Sequence, residues 1–189
     1  MALTISFDLQ EQDLDYFRQL MQKTERVVSH HSSEEILSAA KALAGEVQNQ
    51  VPEFVAIRLK QLETLVAMVE DQDWDLTAEE KLDVLSALAY FSKPEDLIAD
   101  HVPVLGFLDD AIMIELVVQS LADDFEAYSE FCTFRRNEIE RRGAEAQTSK
   151  ADWLETKKQE LHSWLRRRRA EKRSSTGGGG FRSVFSFRR

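Results

Sequence analysis

Proline and glycine are scarce. Of the 189 residues only Pro52, Pro94 and Pro103 are prolines, and four of the seven glycines stand together at 177–180. Before that cluster only Gly45, Gly106 and Gly143 interrupt the chain. Such sparse punctuation excludes a sheet with many turns and predicts long helices. Cysteine is rarer still: Cys132 is alone, so an intrachain disulfide is excluded, and no Cys/His spacing resembles a zinc site. A reducing compartment fits this usage, and the expected location is cytoplasmic, with peripheral attachment to a membrane as the alternative. The opening residues carry no basic n-region and no apolar run of signal-peptide length, so secretion is not expected. A long uncharged apolar run is missing as well. The most apolar stretch, 102–121, contains Asp109, Asp110 and Glu115, and each central Asp costs about 2.5–3.5 kcal/mol on insertion scales. It reads as a core helix, and no transmembrane span is expected.

What is present is a chain 43% hydrophobic, enough for one helical domain with a core and an appendage. Charge is distributed unevenly. Residues 1–134 sum to −19 and residues 135–189 to +9, together the −10 of the whole. An acidic body with a basic arm implies two regions with separate roles, docked on each other or with the arm reaching an anionic partner.

The periodicity predicts a first helix over about 8–30, with Leu14, Phe17, Met21 and Val28 on one face. Ser32-x-x-Glu35 has the form of a capping box and opens a second helix, striped by Ile36, Ala40, Leu43 and Val47. Pro52 suits the start of a third, whose face is Val55, Leu59, Leu62, Val66 and Val69. Another box, Thr77-x-x-Glu80, opens a fourth that presents Leu82, Leu85 and Leu88 and ends near Phe91. Past Gly106, the seam Phe107, Ala111, Ile114, Val118, Leu121, Phe125, Tyr128, Cys132 steps by four and three and predicts one long helix ending near Gly143. A last helix over 144–173 groups Trp153, Leu154, Leu161, Trp164 and Leu165. The expected fold is therefore an all-α bundle of five or six helices with a flexible basic C-terminal tail. Its expected units are an acidic domain over 1–143, a basic helix over 144–173, and a Gly/Ser linker with an aromatic-basic tail over 174–189. No repeat at solenoid spacing is found, but Leu108-Asp109-Asp110 and Ala122-Asp123-Asp124 echo one another.

Between the fourth and fifth helices the rhythm breaks at Ser92-Lys93-Pro94-Glu95-Asp96-Leu97-Ile98-Ala99-Asp100-His101-Val102-Pro103-Val104-Leu105-Gly106-Phe107-Leu108-Asp109-Asp110. Two readings are open. In one, Asp96 and Asp100 cap helix starts, Pro94 and Pro103 fix the turns, and Gly106 permits close approach, giving a corner with no chemistry. In the other, Asp96, Asp100, Asp109 and Asp110 converge, with His101, on a divalent cation or on a partner's basic group. A metal-dependent hydrolase built on this cluster is the rival from the enzyme class. No nucleophile, Gly-rich phosphate loop or paired His/acid motif accompanies the acids, which points away from catalysis and from any cofactor beyond such a cation.

The same run resembles the signature of the YkvA-like family: a Ser-Pro-type turn, then Asp-Leu-Ile-Pro-Asp, Ile-Pro-x-x-Gly, and Leu-Asp-Asp leading into an apolar helix. The resemblance covers about 85–121. Ala99 stands where the family has proline, and residues 1–76 and the C-terminal arm lie outside it. It implies a small helical domain without an established activity.

Arg166-Arg167-Arg168-Arg169 with Lys172 and Arg173 also has two readings. One is a solvated helix end that complements the dipole. The other is an anion-binding arm whose arginines grip phosphates bidentately while Phe181, Phe185 and Phe187 stack on bases or enter a lipid interface. His30 and His31 fall at a helix end and read as caps, Cys132 as a core residue, and Trp153 and Trp164 as packing residues. Taken together, these features predict a non-enzymatic adaptor or regulatory module. Its expected partners are an unidentified protein and, through the tail, an anionic membrane surface or nucleic acid.

Overall fold

A computed structural model describes residues 8–25, 32–46, 51–92, 98, 102, 105–143 and 150–175. Among them all regular structure is helical: α1 (Glu11–Glu25), α2 (Ser33–Glu46), α3 (Glu53–Glu70), α4 (Ala78–Leu88), a 3-10 turn (Ala89–Ser92), α5 (Leu108–Ser120), α6 (Ala122–Arg142) and α7 (Lys150–Ser175). Both capping boxes form. The Ser32 N–H donates to Glu35 Oε2 (2.7 Å) while the Glu35 N–H donates to Ser32 Oγ (3.2 Å). Thr77 and Glu80 make the same reciprocal pair at 3.0 and 3.3 Å. Each box satisfies two amide donors that a bare helix start would leave orphaned.

The α-helices number seven among the described residues, against an expected five or six, because the predicted long helix is divided at Leu121. This residue, with φ −105° and ψ 22°, is the C-cap of α5 and the N-cap of α6. Its N–H donates to the Val117 carbonyl, and its own carbonyl accepts from the Phe125 N–H. The heptad seam passes through the break undisturbed, so hydrophobic spacing gives no sign of it. The Leu-Asp-Asp echo does: Asp109 and Asp110 open α5, and Asp123 and Asp124 open α6, where negative charge suits the helix dipole.

α3 packs against α2 and α5, and α6 against α7. The predicted face of α3 (Val55, Leu59, Leu62, Val66, Val69) is buried throughout. On α4, Leu85 and Leu88 are buried but Leu82 is exposed, and Val84 takes its place in the core. Trp74, in the connection between α3 and α4, has no exposed surface. From α7, Leu154, Leu161 and Leu165 are buried against the body, each stabilising the contact by about 1.5–3 kcal/mol. Among the described residues no helix is long and apolar enough to cross a membrane.

Candidate functional site

At the predicted motif, Gly106 is buried and its N–H donates to the Val102 carbonyl (2.8 Å). The left-handed turn that starts α5 falls on the next residue, Phe107, at φ 64° and ψ 9°. A side chain there costs about 1–2 kcal/mol, and Phe107 packs in part against the core. Asp109 (2% exposed) and Asp110 (8%) lie in the first turn of α5. Asp109 Oδ2 accepts from the Ile98 N–H at 3.1 Å, so this carboxylate ties the preceding segment to the helix start. Pro94, Asp96, Asp100, His101 and Pro103 lie outside the described residues. Among the described residues, no group of three or more His, Cys, Asp or Glu is disposed to hold a metal ion.

A second constellation joins α6 and α7 to the body. The two helices run antiparallel as a hairpin: Arg142 stacks over the Trp153 ring (5.4 Å), Lys157 pairs with Glu130 (2.6 Å), and Arg168 with Asp123 (3.2 Å). Gly143 ends α6 at φ 55° and ψ −127°, a conformation open to glycine and strained for other residues. The register sets the basic C-terminal half of α7 against the acidic start of α6. Arg169 bridges Glu80 (2.8 Å) and Asp124 (2.5 Å), and Lys172 shares Asp123 with Arg168. Arg166 donates to Ser163 Oγ (2.9 Å) and is exposed, as is Arg167. Ser174 and Ser175, expected to begin the linker, extend α7 instead, and the rest of the linker with Phe181, Phe185 and Phe187 lies outside the described residues.

Residues 80–116 match a family described as a protein of unknown function (DUF1232). No curated protein and no solved structure matches the chain. The matched stretch runs from the carboxylate that receives Arg169, through α4 and the corner, into α5. α6, α7 and the cations of the hairpin lie beyond it.

The electrostatics of the hairpin differ from group to group. Burial pushes the Glu80 carboxyl up, but the Thr77 N–H and the Arg169 guanidinium outweigh it and hold the group below the usual carboxylate range. For Asp123, burial is likewise overcome by Lys172 and Arg168, and the pKa is lowered. At Asp124 burial wins over Arg169 and the pKa is raised, as it is for Asp83 nearby. One guanidinium is thus shared between a carboxylate that is comfortable ionised and one that is not.

Beneath the hairpin, Asp71 caps the end of α3 and accepts from Tyr128 Oη (3.0 Å), Arg135 (2.7 Å) and the Asp73 N–H (2.9 Å). Burial raises its pKa, and Arg135 with Tyr128 more than reverses the shift. Arg135 also pairs with Asp73 and lies 5.1 Å over the Phe131 ring. Trp74 packs on Tyr128 and Phe131, and His162 of α7 stacks on it at 4.4 Å. His162 Nε2 sits 3.2 Å from the Trp74 carbonyl oxygen, which can only accept, so that nitrogen carries the proton. Asp71, Trp74, Glu80, Asp123, Asp124, Tyr128, Arg135 and His162 were not legible as a site from spacing. Their partners lie 45 to 89 positions away, and only the reversal of charge along the chain signals that such pairing exists.

Proposed function

We propose that this is a YkvA-like protein acting as a non-enzymatic adaptor or regulatory module. Its units are an acidic helical body over 1–143, a basic helix over 144–173, and a linker with an aromatic-basic tail over 174–189. The body recruits a protein partner and the basic arm engages an anionic surface, in the cytoplasm and peripherally at its membrane. The supporting observation is the division of labour on α7: Arg168, Arg169 and Lys172 pair with carboxylates of the body, while the neighbouring exposed Arg166 donates to Ser163 Oγ and Arg167 points to solvent. The capping geometry of Asp109 supports a scaffold role for the motif, since one of its oxygens is occupied by a backbone N–H.

The test compares full-length protein with a chain ending at Ser175 on anionic vesicles, neutral vesicles and single-stranded DNA at two salt concentrations. Each basic residue near an anionic bilayer contributes about 1 kcal/mol, and binding fades as salt shortens the Debye length below about 8 Å. Binding to an anionic surface, weaker in high salt and weaker without the tail, is the expected result. Equal and negligible binding by both chains at low salt overturns the proposal.

A further inference from the structure

Besides the side that forms the core, α3 carries a second apolar face. Phe54, Ile57, Gln61, Leu65 and Met68 step along the helix by three and four and share one side of it. Leu65 and Met68, toward its C-terminal end, are buried, whereas Phe54 and Ile57, near its start, are 41% and 47% exposed. The neighbouring helices set this difference. Arg58 bonds to Glu115 of α5 (3.1 Å) and Asp71 to Tyr128 of α6 (3.0 Å), each pair 57 positions apart. α3 and the run of α5 and α6 therefore lie side by side in the same direction, and the start of α3 is level with the start of α5. There the outer side of α5 carries Ile112 and Glu115, both partly exposed, and Leu105, in the turn that leads into α5, is 48% exposed. This end of the bundle thus presents Phe54, Ile57, Ile112 and Leu105 to solvent, beside an Arg58–Glu115 pair whose side chains keep 31% and 36% of their surface.

We infer that the joined starts of α3 and α5 form a docking surface for a second copy of this chain, arranged about a two-fold axis. Charge is what selects that occupant. Residues 1–134 sum to −19, so two copies repel each other over most of their surface. On this face the charges cancel: Arg58 is matched by Glu115, and Lys60 by Glu63 (2.7 Å), with Glu53 at the edge. A basic partner drawn by the acidic body gains little at a face whose carboxylates already have cations. A two-fold axis instead requires a patch that complements itself, in which residue i of one copy meets residue j of the other and j meets i. An apolar centre bordered by one arginine and one glutamate meets that requirement, with Arg58 of each copy facing Glu115 of the other. The contact is small and belongs to the reversible class rather than the obligate one. The inference goes beyond the adaptor reading and does not depend on the arm.

Sedimentation of the full chain from about 1 to about 100 µM is expected to show a reversible monomer–dimer equilibrium. Ile57→Lys places an ammonium in the apolar centre and is expected to raise the dissociation constant at least about tenfold. Leu82→Lys alters an equally exposed leucine on α4 (45%) and is expected to leave it within about twofold. Arg58→Glu and Glu115→Arg each bring like charges together across the axis, and each chain alone is expected to be monomeric. Mixed in equal amounts the two are expected to pair. The new glutamate of one then meets the new arginine of the other, while native Glu115 meets native Arg58. Within each chain the 58–115 contact stays mismatched, so pairing of the mixture reports contact between copies and not repair of the fold. A chain that is monomeric at every concentration overturns the inference, and leaves vesicle binding by the arm as a separate question. A dimer that survives Ile57→Lys, or is lost equally with Leu82→Lys, overturns the surface. A mixture that stays monomeric overturns the two-fold arrangement. If the charge variants do not fold, the contrast between Ile57→Lys and Leu82→Lys decides.

Discussion

Asp71 holds four groups at once: the Tyr128 hydroxyl, the Arg135 guanidinium and the N–H groups of Asp73 and Trp74. Asp71→Ala leaves the buried Tyr128 and the partly buried Arg135 without their shared acceptor, and a loss of about 1–3 kcal/mol is expected from a urea titration. Asp73→Ala removes only one more exposed partner of Arg135 and is expected to cost less than about 1 kcal/mol. The contrast checks the assignment, since equal costs would mean that Asp71 is not the hub. Asp109→Ala removes the acceptor for the Ile98 N–H and a first-turn charge, with an expected cost of about 0.5–2 kcal/mol by the same titration. Local residue roles of this kind were partly legible. Ser32 and Thr77 act as their boxes predict because a capping box is a contact between residues three apart. Asp71 was not legible, because its principal partners are 57 and 64 positions distant.

At the scale of elements, hydrophobic period identified where helices are and missed where one ends. α5 and α6 share one seam across Leu121 because α5 is buried on nearly every side, Met113, Leu116 and Val117 included, and a helix buried all round imposes no single stripe. Gly143, by contrast, was legible as a stop. Gly143→Ala places a Cβ on a positive-φ residue at the hairpin turn, and thermal melting should show a loss of about 1–3 kcal/mol. Acid should act on the hairpin in two stages. Asp124 and Asp83 have raised pKa values, so their strain is relieved as pH falls toward the ordinary carboxylate range, and docking does not weaken there. Glu80 and Asp123 have lowered values, so their contribution is complete above the ordinary range and is lost as pH falls through their folded-state pKa values. The protection of α7 amides relative to their intrinsic exchange rates should therefore hold to about pH 5 and fall below about pH 4.

Across the whole molecule, the split between an acidic body and a basic arm was the part of the sequence that carried furthest. It announced that two regions of opposite sign exist, and the structure shows them in contact along α6 and α7, with Arg168, Arg169 and Lys172 on body carboxylates. Composition could not foretell which cations would meet carboxylates of the body, because neighbouring arginines on one helix differ only in the direction in which the backbone turns them.

The distribution of indole groups adds a practical consequence. The chain has three tryptophans: Trp153 and Trp164 belong to α7, and Trp74 stacks on His162 of α7. Ultraviolet emission therefore comes from this one joint, while the rest of the body contributes no indole signal. A red shift and easier quenching by iodide would report the hairpin coming apart, at any salt or pH, without a label being attached.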